Sequence, residues 1–159
     1  MMPITLEKHI ESPIIQRVRA ILLTERGTLL FIKRVKPGSA PYWVAPGGGV
    51  EQYDPQLVDA LHRELCEELG ATVEVVQTGF ILKHEKAGKN LEEHFFICRL
   101  VDYDLDLRHG PEFDDPSRGE YIPAEIPLDV AALKAINMKT IELQDWLVEH
   151  LPDLRQLAG

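Results

Sequence analysis

Leu57, Leu61, Leu65 and Leu69 recur four residues apart, a spacing that commits this stretch to a helix with one apolar stripe, joined at its start by Val58. Asp54 followed by Pro55 predicts the helix start, since an aspartate oxygen can accept orphan N–H groups and proline loses no hydrogen bond at the first helical position. Gly70 suits the left-handed residue that ends such a helix. On this helix Glu64, Glu67 and Glu68 stand at i, i+3 and i+4, on a face beside the stripe rather than opposite it. Like-charge neighbours cost roughly 0.2 to 0.5 kcal/mol per pair on an exposed helix, and more where water is excluded. A hard divalent cation reverses that sign. An all-oxygen set suits Mg²⁺, Mn²⁺ or Ca²⁺ rather than zinc, which favours His or Cys. Arg63 lies one turn before Glu67 and can orient it. The plain alternative is a solvated acidic face with an Arg63–Glu67 pair.

The residues before the helix add Pro46-Gly47-Gly48-Gly49-Val50-Glu51, a loop whose glycines let backbone groups approach other atoms closely. Together the loop and Arg63-Glu64-Leu65-Cys66-Glu67-Glu68-Leu69-Gly70 resemble the Nudix box. That pattern has a glycine, five residues, Glu, seven residues, then Arg-Glu-aliphatic-x-Glu-Glu-x-Gly-aliphatic. The second half matches closely, with Ala71 where a larger aliphatic is usual. The first half is irregular: a strict count puts Pro55 where the first glutamate belongs, whereas one extra loop residue puts Gly48 and Asp54 in register. We take the second register, in which Asp54 either replaces that glutamate or caps the helix. The resemblance covers Gly48 to Ala71 and extends loosely from Arg17 to Pro123.

Length and charge set the frame for this reading. A chain of 159 residues, 45% hydrophobic, fits one domain over 1–159, with 1–13 flexible or an edge segment. No apolar run approaches the 18 or so residues of a membrane span. Glu7, Lys8, His9 and Glu11 interrupt the N-terminal aliphatics, so no signal peptide is expected and cytoplasmic residence follows. Cys66 and Cys98 are the two cysteines, expected to stay reduced. The net charge of −9 argues against broad nucleic-acid binding. Even so, Arg17, Arg19, Arg26, Lys33, Arg34 and Lys36 hold six of the 17 basic residues, with Glu25 the single acid among them. This patch suits an anionic small molecule. The sequence is compatible with a homodimer and does not specify one.

Arg17–Thr24 and Thr28–Val35 read as two strands joined at Glu25-Arg26-Gly27, and Tyr42–Ala45 as a short strand feeding the glycine loop. Trp43 reads as core, and Tyr42 as the better candidate to stack on a base. Thr72–Thr78, Phe80–Lys83 and Glu93–Leu100 are strand-like, with a polar turn at Glu85–Asn90. Tyr103–Gly119 is an acidic, turn-rich loop and precedes a strand at Glu120–Pro123. Leu128–Ile136 and Lys139–Leu151 read as structural helices, ended by Pro152. The six histidines show no metal-binding spacing.

The resemblance implies an α/β/α sandwich with a mixed β-sheet and a metal-dependent hydrolase. Its substrate would be a nucleoside diphosphate linked to another group, cleaved at a phosphoanhydride bond. Glu64, Glu67, Glu68 and the Gly47 carbonyl would hold Mg²⁺, or Mn²⁺ in its place. Arg63 would orient the acids, and a loop carboxylate, Glu112 or Glu120 ahead of Asp115, would serve as base or further ligand. Arg34, Tyr42 and Arg19 are the candidate substrate contacts. Residues 72 to 110 lack proline, so the marker proline of ADP-ribose-cleaving members is missing. A nucleotide-binding module with the same fold and weak catalysis is the alternative.

Overall fold

The structure is a computed structural model and describes residues 13–158; the N-terminal segment 1–12 lies outside the described residues. Strand β1 (Ile14–Leu23) turns through Thr24–Gly27 into β2 (Thr28–Val35), as the sequence predicts. The two strands pair only at the tip, Leu23 opposite Leu29, and then splay apart. The chain fills the gap with its own next segment. Strand β3 (Tyr42–Val44) pairs with β2, and β4 (Gly47–Gly49) pairs with β1. The glycine loop is therefore a strand wedged into the sheet, with Gly47 opposite Arg19.

Helix α1 (Leu57–Leu69) follows, with Gln56 as its cap residue. The Asp54–Pro55 start is corrected here. The Gln56 N–H donates to Asp59 Oδ2 at 3.1 Å, which satisfies the helix entry two residues later than expected. Gly70 does end the helix, at φ 60° and ψ 34°.

Strands β5 (Ala71–Lys86) and β6 (Lys89–Tyr103) form one long hairpin. The expected polar turn shrinks to Ala87 and Gly88, both at positive φ, the geometry of a tight two-residue turn. Register shifts at Val75/Gln77 and Thr78/Phe80 account for the weak alternation of β5 in sequence. Strand β6 runs parallel to β1, and β7 (Glu120–Pro127) closes the outer side of β2. The sheet is thus mixed.

Alternation along β1 assigns its two faces. Val18, Ala20 and Leu22 pack with Leu61, Leu65 and Leu69 of α1. Ile21 and Leu23 pack on the other face with Leu133, Leu143, Leu147, Leu151 and Leu154. Those leucines come from α2 (Val130–Ala135), α3 (Ile141–Glu149) and α4 (Leu151–Ala158). The result is the α/β/α sandwich. Pro152 does not end the helical run: it occupies the first turn of α4, where a missing N–H costs nothing. Among the described residues no helix is long and apolar enough to cross a membrane.

Candidate active site

The acids of α1 are gripped from three directions. Arg63, on the same helix, is the first. Its Nη1 donates to Glu64 Oε1 at 3.1 Å and to Glu67 Oε1 at 3.3 Å, the i, i+4 contact expected from sequence. Its Nη2 donates to the Gly49 carbonyl at 3.0 Å, which ties the helix to β4. Asp54 takes the rest of the guanidinium, accepting Nε at 3.0 Å and Nη2 at 2.7 Å. Its side chain is only 4% exposed. A turn sets it there: the Glu51 N–H donates to Asp54 Oδ2 at 2.8 Å, and the Asp54 N–H to the Glu51 carbonyl at 3.0 Å. Asp54 is therefore no helix cap. The Arg63 hydrogen bond holds its carboxyl below the usual range.

The second grip comes from β4. The Gly47 N–H donates to Glu68 Oε1 at 3.0 Å, and among the described residues Oε2 has no donor. Gly47 sits at φ 149°, and a Cβ there would lie 2.0 Å from the Val18 carbonyl oxygen, so only glycine brings this N–H so close. A Cβ on Gly48 would lie 2.3 Å from Glu64 Oε2, which puts the loop backbone directly against that carboxylate. Burial pushes the Glu68 carboxyl up to about 7, opposed by the charge of Arg19 and the Gly47 N–H and reinforced by Glu64 and Glu112. Burial, first, and the charge of Glu67 also raise Glu64.

The loop after β6 supplies the third grip. It runs through short 3-10 turns at Leu105–Leu107, Pro111–Asp114 and Pro116–Arg118. Arg108 clamps it, donating from Nε to the Glu68 carbonyl at 2.8 Å and from Nη2 to the Tyr121 carbonyl at 2.6 Å. The His109 N–H adds a bond to the Glu67 carbonyl at 3.0 Å. Sequence reading passed over Arg108, because an arginine serving backbone carbonyls has no local pattern. Of the three candidate loop acids, Glu112 is the one whose charge acts on both Glu64 and Glu68. Asp115 is spent on its own turn, accepting from the Ser117 N–H at 3.0 Å. Glu120 is exposed at the start of β7.

A pocket of about 270 Å³ opens on the face of the sheet that carries α3, the face opposite α1. Arg17, Arg19, Lys86 and Lys139 line it with Glu93, His84 and Trp43. Burial, then the charge of Lys86, hold the Lys139 amine below its ordinary value. Arg19 donates from Nη1 to the Ala45 carbonyl at 3.3 Å, and its charge also acts on Glu68, so this one side chain links the pocket to the acids. Of the three expected substrate contacts, only Arg19 lines this pocket. The guanidinium of Arg34 is taken by the carbonyls of Arg118 and Glu120 and lies 3.7 Å from the Tyr121 ring centroid. Tyr42 sits among the cations of Arg34, Lys36 and Lys139, at 6.0, 5.6 and 5.6 Å. Trp43 is half-buried, both packing on the core and lining the pocket. Lys139, His84 and Glu93 had no sequence signal, since β6, the end of β5 and the segment before α3 meet only in the fold.

Among the described residues no three His, Cys, Asp or Glu side chains converge on a formed cation site. Glu64 and Glu67 turn to Arg63, and Glu68 turns under β4. The chemistry still fits a hard dication: three carboxylates crowd one helix face, two are raised by burial, and among the described residues Oε2 of each has no donor.

Solved structures with this architecture agree. A NUDIX hydrolase from Nitrosomonas europaea superposes with a TM-score of 0.68 at 18% identity, over 90% of this chain and 92% of that one. The MutT protein from Methanosarcina mazei Go1 gives 0.63 at 23%, covering 91% and 96%. The ORF135 protein of E. coli gives 0.63 at 23%, covering 87% and 91%. At these identities the likeness establishes the fold. The sequence itself carries the family: the NUDIX domain pattern matches residues 14–143, from β1 into α3, and the chain belongs to the NUDIX family.

Proposed function

We propose that the protein is a metal-dependent pyrophosphohydrolase that cleaves a phosphoanhydride bond in a nucleoside diphosphate linked to another group. Family membership supports the general class, a hydrolase of nucleotide-linked diphosphates. The observation that carries the finer reading is the set of α1 acids fixed by Arg63 and Gly47, linked through Arg19 to a pocket that Arg17, Lys86 and Lys139 also line. Glu64, Glu67, Glu68 and the Gly47 carbonyl would hold Mg²⁺ or Mn²⁺, which supplies the positive field that polarises phosphoryl oxygens and acidifies water.

The chain's own residues supply the remainder. Arg17, Arg19 and Lys139 give this side of the molecule a positive field that attracts an anionic nucleotide to a protein whose net charge is −9. Arg63 keeps Glu64 and Glu67 oriented while Asp54 anchors Arg63. Glu112 accepts the proton from the attacking water. A P–O bond to water forms, the bridging P–O bond breaks, and the products are two phosphate monoesters, or a monoester and a free phosphate. The test compares divalent-cation-dependent turnover of a nucleotide panel by wild type and Glu67→Gln. A loss of more than roughly 100-fold is expected, and equal rates would overturn the role of Glu67.

The second reading, a binding module with weak catalysis, is favoured by the irregular loop before α1. Asp54 answers that irregularity by holding the arginine in place of the expected glutamate. Calorimetry separates the two readings: a nucleotide bound tightly with Mg²⁺ and recovered intact after long incubation favours the module.

A further inference from the structure

On β6, Leu91, Glu93, Phe95 and Ile97 alternate onto the same buried side, and Glu93, 7% exposed, is the one acid among them. It lies in the wall of the pocket. Its Oε1 accepts from Arg19 Nε at 3.2 Å, and its Oε2 meets His84 Nε2 at 3.0 Å. Each partner fixes one oxygen and leaves the carboxylate with unused acceptor capacity, because an ionised carboxylate offers about four lone-pair sites. Arg19 spends Nε on Glu93 and Nη1 on the Ala45 carbonyl; among the described residues its Nη2 has no acceptor. The pocket wall therefore presents an acceptor next to a donor, and the half-buried indole of Trp43 lines the same space.

We infer that Glu93 is a specificity-determining residue that selects nucleobases bearing an exocyclic amino group next to a ring or carbonyl acceptor, and rejects bases with an oxo group in that place. Cytosine and adenine present such an edge, amino to Glu93 and ring nitrogen to Arg19. Uracil and hypoxanthine turn an oxygen lone pair toward a fixed carboxylate and a ring N–H toward the guanidinium, so acceptor meets acceptor and donor meets donor. Glutamate accepting from the cytosine amino group is the corresponding pairing in base recognition. The inference rests on the pocket being the nucleoside site of the proposed hydrolase, and its test avoids turnover.

Binding of CMP, UMP, AMP and IMP is measured by calorimetry in chelator, each pair differing by amino against oxo. Wild type is expected to prefer CMP over UMP and AMP over IMP by about 10- to 100-fold. Glu93→Gln, whose amide can offer hydrogen to an oxo group, should bring both ratios to within about threefold. Glu93→Asp, which keeps the charge but withdraws it by one methylene, should fall between. Equal affinities within each pair for wild type overturn the inference, as does no binding of any of the four. A loss in Glu93→Gln by the same factor for all four also overturns it, because the carboxylate then serves the ribose or the shape of the pocket. An active hydrolase without discrimination defeats this inference alone; discrimination without metal-dependent hydrolysis defeats the hydrolase reading alone.

Discussion

Glu68 offers a direct measure of how much unmet charge α1 carries before any cation arrives. Its carboxyl is raised from the ordinary 4.5 to about 7, first by burial. Between those values the folded protein holds a proton that the unfolded chain releases, so stability must fall as pH rises through this window. The penalty is absent well below 4.5 and complete above about 7. Between pH 5 and pH 8 this one group should remove roughly 2 to 3 kcal/mol from the folded state, since each tenfold difference in proton affinity between folded and unfolded chain is worth about 1.4 kcal/mol. Glu68→Gln carries no titrating proton and keeps an oxygen for the Gly47 N–H, so it should lose that decline while the slopes due to other groups remain.

The assay is urea unfolding of wild type and Glu68→Gln at pH 5 and pH 8 in chelator, repeated with Mg²⁺ at pH 8. In chelator the wild type should decline more steeply than the variant by roughly 2 to 3 kcal/mol. Mg²⁺ at about 100 times its dissociation constant should return about 2.7 kcal/mol to the wild type at pH 8, and distinctly less to the variant. Parallel declines in the two proteins would refute the argument that Glu68 is held with its charge unmet.

Two further substitutions probe the scaffold of the same site. Asp54→Ala removes the two-point partner of Arg63 and leaves that guanidinium with Glu64, Glu67 and the Gly49 carbonyl, so denaturant unfolding at neutral pH should show a loss of about 1.5 to 3 kcal/mol, that of a charge-assisted hydrogen bond. Because Arg63 lowers the Asp54 pKa, this contribution is present above the ordinary carboxylate value and disappears as pH falls through the lowered one. Gly47→Ala and Gly48→Ala should separate fold from function. The first drives a Cβ to 2.0 Å from the Val18 main-chain oxygen and should cost roughly 3 kcal/mol or more, seen as a lowered Tm. The second meets only the movable end of Glu64, at 2.3 Å, and should leave Tm nearly unchanged while metal-dependent turnover falls.

The sequence exposed the parts of this molecule whose signals are local. The leucine repeat, the glycine stop and the i, i+3, i+4 acids can all be read along one helix, and that helix is where they place it. The hairpin tip at Glu25–Gly27 was equally plain. What stayed hidden depends on segments that meet only after folding. No pattern in β1 shows that it parts from β2 after one pair to admit β3 and β4. Glu93, His84 and Lys139 share a pocket although they come from three separate segments. Arg34 looked like a free cation in a basic patch, but the carbonyls of Arg118 and Glu120 lie far along the chain. The helix start moved to Gln56 because Asp54, a good cap by residue type, was needed elsewhere.

That last displacement accounts for the irregular loop. A glutamate at this place would carry its carboxyl on two methylenes; aspartate has one. The turn from Glu51 to Asp54, closed by hydrogen bonds of 2.8 and 3.0 Å, brings the shorter side chain close enough to take Nε and Nη2 together. Pro55 then sits outside α1, where its missing N–H breaks no helical bond. The extra residue and the shorter acid are thus two halves of one compensation. Glutamate at position 54 would place its carboxyl too far along to keep both the Glu51 N–H and the Arg63 fork, so the residue the family pattern favours should serve this loop worse than the aspartate it has.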